Sequence, residues 1–271
     1  MKVFAIRDEL DKSNKNLAYL LYYENEKKFY IELPDDADPW ETPLLLSSFL
    51  KRGERTVNSY WSIMWVRQRI VPPDRQNLGQ ILKENGLEEY DEFALLMLGN
   101  GRCAQDDYYL FPLTEKEVEK EFWERYQRRI EDVVPLKKGE LLVFFRNGKL
   151  KKVDVRKLCK DDIKFSAILN REDLFERVGI QTGGYGIFWS EAYSISDEML
   201  YKNGVDVPLT LEDFRKFISD RVVNTAEVVE LLDCSRQNVN DLVKRGKLVP
   251  VKKSQKNMLF LKSEVLQRKW S

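Results

Sequence analysis

Length and composition restrict the class of protein before any element is considered. The chain has 271 residues, 43% hydrophobic and 33% charged, which is enough for about two domains with buried cores. No apolar run approaches the roughly 20 residues of a membrane-spanning helix, and the N-terminal stretch lacks the features of a signal peptide. Three widely separated cysteines argue against a disulfide framework, so we expect a protein of the reducing cytoplasm.

The chain contains no histidine. This composition removes the commonest general base and excludes Ser-His-Asp triads, Cys-His dyads and His-ligated metal sites. Carboxylate or lysine chemistry remains possible, but the paired acids Asp35-Asp36, Asp106-Asp107 and Asp161-Asp162 fall in predicted loops. We therefore predict that the protein is not an enzyme and has no catalytic residues, metal ligands or cofactor.

The first 113 residues are predicted to form a small α+β module. Leu17–Tyr23 and Lys28–Leu33 are rich in Tyr, Leu and Ile, which is typical of strands, and a polar turn separates them. The aromatic stretch Tyr60–Ile70 is expected to be buried. A helix is predicted to begin at Pro72 and to end at Gly86, because apolar residues recur between them at helical spacing.

The run PPDRQNLGQILKENGLEEYDEFALLMLGNGRCAQDD, from Pro72 to Asp107, resembles the N-terminal subdomain of HipA-type toxin kinases. The resemblance implies a part that packs on the kinase lobes and transfers no phosphate. The chain changes character after Leu113, where lobes for ATP and Mg²⁺ would follow, so no kinase activity is carried over. The matching residues are Asn77, Leu82, Gly86, Leu87, Asp91, Phe93, Leu95, Leu96, Gly101, Cys103 and Ala104.

Thr114–Asp132 is predicted to be one charged helix. Thr114 and Glu117 form a capping-box pattern, and apolar residues from Val118 to Ile130 recur at helical spacing. Two interpretations remain open. In the first, the helix connects two domains and packs on one of them. In the second, it makes a coiled-coil or dimer contact, although the stretch is shorter than about three heptads.

A second small α+β module is predicted to follow. Asn147-Gly148 is a hairpin turn between two strands, and Gly183–Gly186 is interpreted as a tight turn, since it lacks the Lys-Ser/Thr of a phosphate loop. The order resembles a family of small, poorly characterised bacterial domains often encoded beside toxin-antitoxin components, which implies no particular chemistry. The predicted strands and closing helix are Leu141–Phe145, Leu150–Val155, Val178–Gln181, Gly186–Trp189 and Ile195–Tyr201.

The amphipathic stretch Leu209–Arg221 predicts a connecting helix, and a helix-turn-helix pattern follows it. Asn224 or Thr225 can cap a first helix, and Ser235 can cap a second that ends at Gly246. The apolar positions of both helices recur at helical spacing.

A wing is predicted after the second helix. Leu248–Val251 and Met258–Leu261 are strand-like, and the basic segment Lys252–Asn257 is the expected loop between them. Ser263 is predicted to cap a last helix that ends at Trp270. Helix-turn-helix, basic wing and closing helix make a winged helix-turn-helix order.

The residues TAEVVELLDCSRQNVNDLVKRGKLVPV, from Thr225 to Val251, resemble the excisionase and MerR-like DNA-binding family. Two positions depart from the family's pattern: Cys234 replaces the usual Val, and Asn238 replaces a frequent Thr. Cys234 is interpreted as a small buried apolar residue. The resemblance implies that the second helix presents its polar face to DNA.

Charge is distributed unevenly along the chain. From Arg221 to Ser271 there are 11 Lys+Arg and 5 Asp+Glu, and because the whole chain has 45 of each, the remainder is acidic by 6. The positive excess lies where phosphate contacts would need it. Arg at the start of a recognition helix can bond guanine, and Gln or Asn can bond adenine. The predicted DNA-contacting residues are Thr225, Ser235, Arg236, Gln237, Asn238, Asn240, Lys244, Arg245, Lys252, Lys253 and Lys256.

The sequence as a whole predicts a multidomain α+β fold, in which two small α+β modules precede a C-terminal winged helix-turn-helix. The predicted function is sequence-specific binding of double-stranded DNA by a transcriptional regulator, with a homodimer as the expected assembly. The alternatives are an antitoxin with a toxin partner, an excisionase-like architectural factor, and an enzyme acting through the HipA-like part. The predicted segments are 1–113, 114–138 (linker helix), 139–207, 208–220 (connecting helix) and 221–271.

Overall fold

The computed structural model describes residues 1–160, 162–190, 192–254 and 257–269. The chain forms two compact units. The predicted first module and linker helix lie in the first unit, and the predicted connecting helix and winged domain lie in the second. Unit 1 consists of Met1–Asn147 and Val153–Gly204, and unit 2 consists of Gly148–Lys152 and Val205–Ser271.

Helices and antiparallel strands are mixed throughout, so the predicted α+β class is confirmed. The strands are β1 Lys2–Asp8, β2 Ala18–Tyr23, β3 Lys28–Glu32, β4 Thr56–Val57, β5 Tyr108–Leu113, β6 Ile130–Pro135, β7 Glu140–Phe145, β8 Leu150–Asp154, β9 Gly179–Ile180, β10 Gly186–Ser190, β11 Tyr193–Ser196, β12 Val205–Val207, β13 Val222–Asn224, β14 Lys252–Lys253 and β15 Met258–Leu261. The helices are α1 Leu44–Lys51, α2 Ser59–Arg67, α3 Leu78–Glu84, α4 Glu92–Leu98, α5 Lys120–Tyr126, α6 Val155–Leu158, α7 Ile163–Leu169, α8 Glu172–Phe175, α9 Asp197–Asn203, α10 Leu211–Arg221, α11 Thr225–Leu232, α12 Arg236–Lys244 and α13 Lys262–Lys269.

A five-stranded antiparallel sheet, in the order β4-β3-β2-β1-β5, organises the first half of unit 1. Successive side chains of a strand point to opposite faces. In β2, Leu20 and Tyr22 join one core, whereas Tyr19 and Leu21 join another. Because both faces of the sheet are covered, β2 has no polar position and reads AYLLYY. The strands predicted at 17–23 and 28–33 are confirmed; β1, β4 and β5 were not predicted.

One face of this sheet is covered by α1, α2 and α4. Trp65 and Val66 of α2 are buried there. The prediction that Tyr60–Ile70 is buried as a whole is wrong, since Tyr60 is 64% exposed and Trp61 40% exposed. The physical reason is helical periodicity, which turns only one stripe of α2 toward the sheet.

Helix α5 covers the other face of the sheet. Phe122 is fully buried there, and its ring centroid lies 5.6 Å from that of Tyr19. The predicted single helix Thr114–Asp132 is therefore wrong in extent. Thr114 does bond Glu117, through its backbone N–H and its hydroxyl at 2.7 Å each, but these bonds close a turn ahead of α5. Ile130 lies in strand β6, which pairs with β7, and that pairing ends the helical path.

Two further predictions in unit 1 need correction at their boundaries. The helix predicted to begin at Pro72 begins at Leu78, although Gly86 does follow its end with a positive φ of 67°. The predicted helix Ile195–Tyr201 is preceded by an unpredicted strand, because Ile195 pairs with Ile187 in β10.

The remainder of unit 1 packs around a separate core that contains Phe145 and Ile187. Strands β9 and β10 pair as predicted, with Ile180 opposite Ile187, across the 3-10 turn Thr182–Gly184. Gly183 and Gly184 both have positive φ, and a Cβ at Gly184 would collide with the backbone oxygen of Ile130. The close approach fixes Tyr185 in a buried position.

Unit 2 contains the helices α10 to α13 and a small sheet. Helix α10 begins with a capping box between Thr210 and Asp213. Strands β13, β15 and β14 form a three-stranded antiparallel sheet in that order. Helices α11, α12 and α13 bury their apolar residues with this sheet, and β13 was not predicted. The fully or nearly buried core residues are Val223, Val228, Val239, Leu248, Phe260 and Val265.

Candidate DNA-binding interface

The first helix of the pair, α11, is capped by Asn224, which decides between the two capping residues that the sequence allowed. The side chain of Asn224 accepts the backbone N–H groups of Ala226 at 2.8 Å and of Glu227 at 3.2 Å. The Glu227 carboxylate accepts the Asn224 N–H in return, at 2.7 Å. This reciprocal capping box fixes the start of the helix.

The turn between the helices depends on a left-handed residue. Asp233 has φ 49° and ψ 54°, and the N–H of Cys234 bonds the carbonyl of Val229 at 3.1 Å. Cys234 is half-buried and packs against the core of unit 2, in agreement with its interpretation as a small apolar residue. Ser235 then accepts the N–H of Asn238 at 3.2 Å and caps the second helix. Two helices joined in this way form the predicted helix-turn-helix.

The second helix, α12, separates an apolar face from a polar one. Val239 is fully buried in the core. Gln237, Asn240 and Lys244 are exposed and follow one another at i, i+3 and i+7. Arg236 is exposed at the first helical position. The exposed stripe therefore has the residue types that read base edges, at the end of the helix where recognition helices approach them.

The end of α12 is fixed by backbone hydrogen bonds. The N–H of Gly246 bonds the carbonyl of Val243 at 3.0 Å, and the N–H of Lys247 bonds that of Leu242 at 2.9 Å. This is a Schellman motif, and Gly246, with φ 64°, holds its left-handed position. Leu248 follows and is buried. The chain is thereby directed from the helix into the wing.

The first strand of the wing begins later in the chain than predicted. The first strand of the hairpin is Lys252–Lys253, not Leu248–Val251, and Lys252 pairs with Leu259. Leu248 is apolar because it is part of the core of unit 2, and not because it lies in a strand. The last helix begins at Lys262, so Ser263 lies inside it and does not cap it. Lys256 lies outside the described residues.

Two of the predicted contact residues have structural roles within the unit. The hydroxyl of Thr225 is half-buried and donates to the carbonyl of Met258 at 3.4 Å, which links α11 to β15. The Ser235 hydroxyl is the α12 cap described above, and it remains exposed. The remaining described residues of the predicted set are all exposed, namely Arg236, Gln237, Asn238, Asn240, Lys244, Arg245, Lys252 and Lys253.

The basic side chains of this surface are largely without carboxylate partners. Lys244 approaches Asp241 at 4.0 Å, a contact between two exposed groups that is worth little in water. Within the described part of the chain, Arg236, Arg245, Lys252 and Lys253 make no ion pair. Their charges are therefore available to phosphates, and association should weaken as salt concentration rises.

A protein-family model described as a helix-turn-helix domain matches residues 222–271. The matched residues coincide with the capped helix pair and wing, and do not reach the stretches that resemble HipA-type kinases or toxin-antitoxin-associated domains. No match was found among curated proteins. No solved structure matched either. The helix-turn-helix prediction is confirmed, and the match is consistent with DNA binding.

Across 1–160, 162–190, 192–254 and 257–269, no helix is both long and apolar enough to span a membrane. The same residues contain no group of three or more Cys, Asp or Glu side chains placed to hold a metal ion.

Proposed function

We propose that this chain is a cytoplasmic transcriptional regulator that binds double-stranded DNA in a sequence-specific manner through unit 2. The observation that carries the proposal is the exposed stripe of α12, with Arg236 and Gln237 at its start and Lys252 and Lys253 on the neighbouring wing. The family match at residues 222–271 supports the DNA-binding part of the proposal. No catalytic role is part of it.

The proposal divides the surface by the type of contact. Arg236 and Gln237 contact base edges, and each such contact discriminates between bases by about 1–3 kcal/mol. Lys252 and Lys253 contact phosphates, which carry no sequence information. A homodimer completes the proposal, because readers of this size commonly use two half-sites.

The experiment begins with genome-wide mapping of bound DNA, which supplies the preferred site. Competition binding is then measured at several salt concentrations for Arg236→Ala, Gln237→Ala and Lys252→Ala. The helix variants should relax sequence preference, whereas Lys252→Ala should weaken all sites alike and reduce the salt slope by about one.

Lys216→Ala is the matched control. Lys216 is an exposed lysine on α10 that pairs with Asp220 at 2.9 Å, and its replacement should change neither quantity. If the wing variant altered sequence preference while the helix variants did not, the roles of α12 and the wing would be assigned wrongly. If the full chain bound no DNA selectively, the proposed function itself would fail.

A further inference from the structure

A cleft of about 960 Å³ lies within unit 1, and no sequence pattern predicted it. Strand β3, the start of α2, the end of α5, the strands β9 to β11 and helix α9 surround it. Its volume is in the range of sites that hold small organic molecules. The lining residues come from stretches as far apart as Lys28 and Lys202, so only the folded chain assembles the cleft.

The floor of the cleft is a buried ion cluster centred on Arg129. Its guanidinium donates to Glu32 at 2.5 Å, to Asp197 at 2.6 Å and to the Thr56 hydroxyl at 3.2 Å. The Tyr185 hydroxyl also donates to Glu32, at 2.8 Å. The guanidinium lies 3.9 Å from the centroid of the Tyr185 ring. Five groups thus hold one another in a single arrangement.

Arg129 keeps its positive charge despite burial. Burial by itself lowers the pKa of Arg129, but the carboxylates around it raise the pKa well above its ordinary value. Burial raises the pKa of Asp197, and the bond to Arg129 opposes that rise. Arg129 Nε is buried and has no hydrogen-bond acceptor in the protein.

Three basic side chains that line the cleft are not paired with a carboxylate, although Glu54 and Glu198 also line it. Arg55 is held by the carbonyls of Pro34 at 2.8 Å and Asp35 at 3.1 Å. Arg128 is exposed and lies 5.8 Å from the centroid of the Tyr201 ring. Among the residues described, neither arginine forms an ion pair, and the same holds for Lys28. Guanidinium groups that are not paired with carboxylates are suited to bind phosphate.

Aromatic rings and hydroxyl groups complete the lining. Tyr60 and Phe188 are exposed at the cleft, and the ring of Tyr30 stacks on that of Tyr185 at 3.9 Å. Exposed rings of this kind can stack on a planar ring of a ligand. Several hydroxyl groups of α2 and β9 to β11 line the same space and can bond a hydroxylated group. They belong to Ser59, Thr182, Ser190, Ser194 and Ser196.

We infer that this cleft binds a nucleoside monophosphate, whose phosphate lies against Arg55 and Arg128, whose base stacks on the exposed rings and whose sugar meets the hydroxyl-lined wall. The arginines, the exposed aromatic rings and the hydroxyl groups of the cleft match the phosphate, the base and the sugar of that ligand. The inference is independent of DNA binding, because every lining residue lies in unit 1.

Calorimetric titration of the full chain with AMP, GMP, CMP and UMP tests the inference. At least one of them should bind, and adenosine or inorganic phosphate should bind more weakly than the corresponding nucleotide. Arg128→Gln should weaken nucleotide binding by about tenfold or more, since it removes a charged hydrogen-bond donor. Arg177→Gln is the matched control, because Arg177 is an exposed arginine of unit 1 outside the lining and should leave binding unchanged.

Several results would overturn the inference. They are failure of all four nucleotides to bind at millimolar concentration, equal binding by the Arg128 and Arg177 variants, or inorganic phosphate binding as tightly as the nucleotide. Loss of binding in a Lys252→Ala, Lys253→Ala double variant would place the nucleotide on the wing instead. Arg128 and Arg177 are both exposed, so neither replacement should disturb folding.

Discussion

Replacement of Arg129 by methionine tests the buried ion cluster on which the cleft of unit 1 is built. Methionine keeps an unbranched side chain and removes the charge. The variant loses the ion pairs to Glu32 and Asp197, the hydrogen bond to Thr56 and the contact with the Tyr185 ring. We expect a large loss of stability in unit 1.

The magnitude follows from what the variant leaves behind. Glu32 is 0% exposed, and its remaining cation is Arg125, whose Nε lies 3.5 Å from Glu32 Oε2. Removing one partner of a buried pair typically costs about 3–5 kcal/mol, because the other charge stays buried without compensation. That cost is a large fraction of the roughly 5–15 kcal/mol by which domains are stable.

Urea unfolding followed by tryptophan fluorescence measures the loss. Five of the six tryptophans belong to unit 1, so the signal reports chiefly on that unit. Addition of Glu32→Gln to the Arg129 variant should recover part of the stability, since it removes the charge left uncompensated. Arg177→Met, at an exposed position, is the control.

The reasoning would be refuted if Arg129→Met lowered the free energy of unfolding by less than about 1 kcal/mol, the value typical of exposed pairs. It would also be refuted if the added Glu32→Gln destabilised unit 1 further. Either result would mean that the cluster relaxes into contact with water and does not hold the floor of the cleft in one arrangement.

Three further predictions concern single positions. Asn224→Ala removes the α11 cap and should lower the stability of unit 2, measured by thermal unfolding, by about 1 kcal/mol. Asn224→Ser keeps a capping oxygen and should retain most of that stability. Equal losses in both variants would contradict the capping role. Gly246→Ala places a Cβ at φ 64°, where no neighbouring atom lies within 4 Å, so only backbone strain of about 1–2 kcal/mol is expected, and Gly246→Asn should cost less than Gly246→Ala. Burial raises the pKa of Tyr30 to about 12, with Arg129 opposing the rise, so the stability from its neutral phenol is fully present below about pH 10 and is lost as the pH rises toward 12. Ultraviolet titration should show an ionisation step in this range that Tyr30→Phe removes, and an unchanged curve would contradict it.

Local sequence signals were sufficient for the helix-turn-helix. Asn224, Ser235 and Gly246 determine where its helices begin and end, through bonds that span only a few residues. The apolar positions of α12 lie on one face, so its exposed residues could be predicted before the structure was known. The α+β class was predictable for the same reason, because alternation and helical spacing are local patterns.

The sequence did not determine features that depend on distant partners. The stretch from Thr114 to Asp132 has a helical pattern, but its last residues form strand β6, which pairs with β7. The helix is therefore limited to the seven residues Lys120–Tyr126. The stretch Leu248–Val251 is apolar like a strand, but Leu248 is buried in the core of unit 2. The first strand of the wing begins at Lys252. Tertiary pairing outweighs local preference in both cases.

The ion cluster and the cleft were decided by tertiary structure alone. Glu32, Arg129 and Asp197 are separated by 97 and 68 residues along the chain, and nothing in their local sequence marks them as partners. Glu32 occupies an ordinary strand position that follows Tyr30 on the same face of β3. It becomes a buried charge only because α5 and the turn before β10 bring Arg129 and Tyr185 against that face. A charged residue is buried only when other elements pack against it with compensating partners. The hydrophobic periodicity of one segment therefore cannot predict which charges are buried.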